Sequence, residues 1–188
     1  NDWLIDTLIP IIEGTRQRRR SIEAEWLLNY RAWQGWPSQQ YTQQLPDGAI
    51  HYFIPHARRV IERNTTRITK LLIPSTEWFH TSAFDLDSHA QAEAVQSLML
   101  FTYQNKIQAK RIISSLSRSL QLYNFPVLST SAFIENNEVW PTQKDIDPFS
   151  FYIFPETAST INDCVLIFED IIVPYQVYNS FVTEKSAE

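Results

Sequence analysis

Apolar residues recur at helical steps over the first 125 positions of the chain, after which the pattern switches to alternation. Residues 2–13 place Trp3, Leu4, Leu8, Ile11 and Ile12 on a short amphipathic helix, and Pro10 is expected to break or kink it. The stretch GTRQRRRSIEAEWLLNYRAWQGW follows. It sets Ile22, Trp26, Asn29, Tyr30 and Trp33 at helical spacing, and Gly35 with Pro37 ends the run. Residues 36–50 form a polar connection with a Pro-Asp-Gly turn at 46–48. A second long helix is predicted over about 55–72, with Pro55 suited to its first turn and Pro74 closing it. FDLDSHAQAEAVQSLMLFTYQNK predicts the third, capped by Asp87 or Ser88, with Ala94, Leu98, Phe101 and Ile107 at helical steps. AKRIISSLSRSLQLYNF predicts the fourth, with Ile112, Leu116, Leu120 and Tyr123 on one face and Asn124 and Pro126 ending it.

PVLSTSAFI then reads as a strand, with Val127, Ser129, Ser131 and Phe133 alternating against Leu128, Thr130, Ala132 and Ile134. ENNE makes a turn. VWPTQKDIDPFSFYIFP predicts a loop and a short aromatic strand at 149–154, and CVLIFEDIIV an unbroken apolar strand. Pro174 precedes a helical start, YQVYNSF. Helices first and a small, mostly antiparallel sheet afterwards give an α+β fold, the helices packed with the sheet. The expected organisation is a mainly helical part at 1–126, a small sheet at 127–174 in the same domain, and a further helix starting at 175–188. There is no internal repeat. Neither end carries the mark of a natural terminus, so the expectation is a fragment of a longer chain.

A chain of 188 residues, 44% hydrophobic and 13% aromatic, can bury a real core. The single cysteine, Cys164, excludes an internal disulfide, and no Cys/His pairs suggest zinc. No apolar run approaches the roughly 20 residues of a membrane span. Charge changes the picture more. Residues 1–72 hold ten Lys/Arg against seven Asp/Glu, and residues 73–188 hold six against fourteen, a basic part followed by an acidic one. Such asymmetry suits docking between identical copies.

The cations concentrate in HYFIPHARRVIERNTTRITKLLIP, residues 51–74, where Glu62 is the only acid. On a helical wheel Val60, Ile61, Asn64, Ile68, Leu71 and Leu72 share one face. Arg59, Arg63, Arg67 and Lys70 form a separate basic stripe. Like charges at these steps repel by a few tenths of a kcal/mol per pair, so an offset is expected. Acids of a neighbouring element, an acidic patch on another subunit, or phosphate of a nucleic acid would each supply it. RQRRR at 16–20 fits a solvated or interface turn between two helices.

Candidate chemistry is sparse. Asp85, Asp87 and His89 approach a metal cluster, but no glycine turn and no later glutamate follow, and helix capping accounts for them more simply. His51 and His56 flank the entry to the second helix and read as structural, and Cys164 as a core residue of its strand. No GxSxG, GxxxxGK[ST] or HExxH occurs, and three glycines argue against a phosphate-cradling loop. The reading is of a protein that is not an enzyme and carries no cofactor.

Taken together, WLLNYRAWQGW, YFIPHARRVIERNTTRITKLLIPSTEWF and the passage from SLQLYNFPVLSTSAFIENNEVWP to CVLIFEDIIVPYQVY resemble the portal, or head-to-tail connector, proteins of tailed bacteriophages. The most telling part is a pattern of the form DP..F...P.A....D, matched by Asp147, Pro148, Phe151, Pro155, Ala158 and Asp163. Portals often carry a glycine after the fourth helix, where this chain has Asn124-Phe125-Pro126. The resemblance implies the wing-like portion of a structural virion protein. Such a subunit would sit in a ring, usually of twelve copies, at one capsid vertex. It would be assembled in the host cytoplasm and would contact capsid protein, terminase and tail adaptors. DNA would be packaged and ejected through its channel, and stem, clip and crown would lie beyond residue 188. The basic stripe would then be the candidate subunit interface. The alternatives are another head-completion component, a nucleic-acid-binding module using the stripe, or a metal-dependent hydrolase at Asp85, Asp87 and His89.

Overall fold

The computed structural model describes residues 4–37, 43, 54–75, 77–83, 85, 88–158, 160–171 and 173. The Pro-Asp-Gly turn, His51, Asp87 and the helix expected after Pro174 lie outside these residues. The fold is α+β. Helices α1 (Ile9–Gln34), α2 (His56–Leu72), α3 (His89–Phe101) and α4 (Ala109–Tyr123) precede strands β1 (Val127–Glu135), β2 (Glu138–Ile146), β3 (Phe151–Phe154) and β4 (Leu166–Glu169).

The first two predicted helices are one. A π-helical turn at Leu4–Leu8 leads directly into α1, which runs through RQRRR to Gln34. The helical run continues past Pro10, and the irregularity the proline demands falls at the change from the π-helical turn to α1 just before it. A second correction concerns the sheet: among the described residues there are two antiparallel pairs, β1 with β2 and β3 with β4, rather than one sheet. The segment VWPTQKD, expected as loop, is β2 and pairs along its whole length with β1, from Glu135 opposite Glu138 to Val127 opposite Ile146. Pro141 is tolerated because each strand of a two-stranded ribbon is an edge. The expected turn is present, with Asn136 and Asn137 both at positive φ (53° and 64°), the two-residue geometry that follows the twist of a hairpin. CVLIFEDIIV is not one strand. Among the described residues only Leu166–Glu169 pairs as strand, in register with Phe151–Phe154.

By internal contact the chain divides into two units, Arg19–Pro148 and Asn1–Arg18 with Phe149–Glu188. In the larger unit, Trp26, Ile107, Ala109, Ile112, Leu122 and Ile146 are buried, Ile112 most completely. Arg19 is buried with them. Its guanidinium lies 4.6 Å from the centre of the Trp26 ring and 5.7 Å from that of Phe125, and it donates to the Pro148 carbonyl. Trp26 also packs on Tyr123, whose phenol is pushed up to about 12, chiefly by burial. Asn124 ends α4 in the left-handed region (φ 53°) and returns its N–H to the Leu120 carbonyl. In the smaller unit, Tyr152 stacks on Phe168 at 4.8 Å, and the Arg16 guanidinium lies 5.8 Å from the centre of the Tyr152 ring.

Candidate functional site

Helix α2 positions the basic stripe. Its side toward α4 is a polar seam, formed by residues other than the six that share one face on the wheel. Arg118 grips both oxygens of Glu62 at 2.9 and 3.1 Å, Gln121 donates to Thr65 at 3.0 Å, and Thr69 pairs with Ser114 at 3.0 Å. Thr65 and Thr69 are the buried residues of the helix. Hydrogen bonding accounts for the choice. Buried hydroxyls and a carboxylate need partners, and α4 supplies three at matching steps. The two Arg118 bonds pull the Glu62 carboxyl below its usual range, against the opposing effect of burial. Trp33 of α1 completes the cluster, with the guanidinium of Arg58 5.4 Å and that of Arg118 5.7 Å from its ring centre. The enclosed Trp33 indole N–H has no partner at full hydrogen-bonding geometry, and its pull on Glu62 is minor.

The opposite side of α2 is therefore turned to solvent. Arg59, Arg63, Arg67 and Lys70 are all exposed. Among the described residues none has an ion-pair partner, so the expected intramolecular offset is not found there. Two large apolar side chains border the stripe. Val60 is 58% exposed and Leu71 81%, one three residues before Arg63 and the other four after Arg67. Leu72 is also exposed. Of the face that the wheel groups, Val60, Leu71 and Leu72 are thus exposed, while Ile61, Asn64 and Ile68 are half-buried. The surface thus joins four cations to an exposed apolar edge, the mixed composition of protein–protein contact surfaces.

RQRRR is neither a turn nor uniformly solvated. Arg16 pairs with Asp170, Arg18 pairs with Glu156 at 2.8 Å, and Arg19 is buried as described. The hydrogen bond that Arg16 donates to Asp170 raises the Arg16 pKa. Burial opposes ionisation of Glu156, but the bonds from Arg18 and from its own backbone outweigh it and lower its pKa. Part of the charge asymmetry along the sequence is thus neutralised within the chain. Lys106 with Glu135 pairs within the acidic part, and Arg118 with Glu62 occupies an acid of the basic part, so neither offsets the asymmetry.

The remaining candidates resolve simply. Asp85 accepts from the Ser88 N–H and hydroxyl at 2.8 and 2.6 Å, so Ser88 is turned back to Asp85 and does not cap α3 with its side chain. His89 is an exposed first residue of α3. No group of three His, Cys, Asp or Glu able to hold a metal occurs among the described residues. His56 opens α2 and is exposed, rather than an enclosed structural histidine. Cys164 is half-buried after the 3-10 turn Ile161–Asp163, outside β4, with its thiol 3.5 Å from the Thr160 carbonyl. Ala94, Leu98 and Phe101 are exposed. Thr81 donates its N–H to Gln96 and its hydroxyl to the Ala92 carbonyl, and Phe101 meets Trp140 edge to face at 6.0 Å. Among the described residues no helix is long and apolar enough to cross a membrane.

No family model matches this chain, and neither a curated protein nor a solved structure gives a significant match to it.

Proposed function

We propose that this chain is a ring-forming structural subunit, the wing-like portion of a bacteriophage portal, and that the α2 surface is one of its subunit contacts. The observation that carries the reading is the stripe itself: four exposed cations without an ion-pair partner among the described residues, bordered by Val60 and Leu71. Like charges three and four residues apart raise the energy of the isolated helix. A carboxylate-bearing partner removes that cost, and the exposed apolar edge adds burial to the contact. A ring closed by rotation needs two different complementary surfaces on each copy, and a chain of net charge −5 can supply an acidic second one. The net negative charge also suits a conduit, because DNA passes a repelling wall without sticking.

The test is assembly. In the longest chain that carries this region, Arg63→Glu with Arg67→Glu abolishes rings seen by negative-stain imaging. It also removes the salt dependence of their sedimentation. Rings of unchanged abundance and salt response in that variant overturn the interface. Tight duplex DNA binding by the unaltered chain, falling steeply with salt and lost in the same variant, replaces the reading with a nucleic-acid-binding module.

A further inference from the structure

A concave cavity of about 770 Å³ lies in the larger unit, between the residues that follow α2 and the start of α4. That volume lies within the range of small-molecule sites. Its wall combines two kinds of group. Trp78 and Tyr103 supply aromatic surface and pack on each other edge to face, 5.4 Å apart. Lys110 and Arg111 supply positive charge, and among the described residues no acidic one lines the cavity. Both cations are exposed, and neither has an ion-pair partner among the described residues.

Their position is electrostatically unfavourable in the unliganded chain. Lys110 and Arg111 occupy the first turn of α4, where the partial positive charge of the helix end disfavours a cation. No acidic residue stands in that turn, and Gln108, at φ 56°, makes no side-chain cap bond. A bound anion relieves all of this at once, since it meets two cations and a helix end of the same sign. The neighbouring aromatic surface calls for a flat ring on the same ligand.

We propose that this cavity binds a nucleoside phosphate, its phosphate held by Lys110 and Arg111 and its base against Trp78 and Tyr103. The inference is independent of ring assembly and of the basic stripe on α2. Titration calorimetry of the full chain with AMP tests it. One saturable site per chain is expected, with inorganic phosphate and adenosine each binding about tenfold or more weakly, since each satisfies only one half of the wall. Lys110→Gln with Arg111→Gln weakens AMP by about tenfold or more, as charge-assisted contacts to phosphate are lost. Both side chains are exposed, so the fold is retained, which far-ultraviolet circular dichroism checks. Arg63→Gln with Arg67→Gln serves as the control and leaves AMP affinity unchanged. Absence of saturation by AMP overturns the proposal, as does an equal loss in the control variant. Competition by a 5′-phosphorylated oligonucleotide assigns the source of the ligand to a strand end, and its failure to compete assigns a free nucleotide.

Discussion

Glu62 and Arg19 are the side chains whose charge the fold uses most directly. Glu62 titrates below its unfolded value because Arg118 bonds both carboxylate oxygens. A depressed carboxyl stabilises the folded state above its unfolded pKa, and that contribution disappears as pH falls through the lower folded value. Glu62→Gln therefore flattens the acid limb of a stability-versus-pH curve below about pH 4.5, by at most about 1 kcal/mol because the pair is partly exposed. Chemical denaturation at pH 7 and at pH 3 measures it, and a limb identical to that of the unaltered chain sinks the assignment. Arg19 is a different case. It is 8% exposed, lies against Trp26 and Phe125, and donates to the Pro148 carbonyl. Arg19→Ala leaves that carbonyl without its donor and opens a void, for an expected loss of about 2–4 kcal/mol. Arg19→Lys keeps the charge but loses the planar stack, and it recovers less than half of the loss. Nothing in RQRRR marks Arg19 among its neighbours. Burial of one arginine and exposure of the next follow from the angular step of a helix that the sequence reading had divided in two.

Among the elements, the best-read ones end in local chemistry. Asn124 and Pro126 stop α4 as expected, and Asn124 takes the left-handed conformation that favours glycine. Asn124→Gly is accordingly expected to change stability by no more than a few tenths of a kcal/mol, while Asn124→Ala costs about 1 kcal/mol. Thermal melting of the two variants separates these outcomes, and equal melting points would remove the backbone argument. The ENNE turn was legible for the same reason, since asparagine accepts positive φ. Strand β2 was not. Pro141 and the polar run Thr142–Asp145 read as loop, and only pairing with β1 makes them a strand. The wheel groups the apolar residues of α2 without saying which side packs inward, and packing against α4 selected Glu62, Thr65 and Thr69, whose polar groups find partners there. The i, i+3, i+7 spacing of those three residues was visible, but their acceptors and donors lie more than forty positions away.

For the whole molecule, the question is what covers the exposed side of α2. If it is a second copy, the apolar edge contributes alongside the cations. Leu71→Ser then weakens association measured by sedimentation, while the stability of the dissociated chain stays within about 0.5 kcal/mol, because Leu71 is 81% exposed. Unchanged association places Leu71 outside the contact. The sequence by itself determined the succession of helices and then strands, the α+β class, the hairpin turn and the existence of a four-cation stripe, because periodicity and turn chemistry act over a few neighbouring residues. Tertiary structure decided which side of each helix is inward, which arginines are spent on carboxylates of the same chain, and that Trp78, Tyr103, Lys110 and Arg111 share one cavity. Those outcomes depend on pairing between distant segments, where desolvated polar groups must find partners and no local pattern records which ones they find.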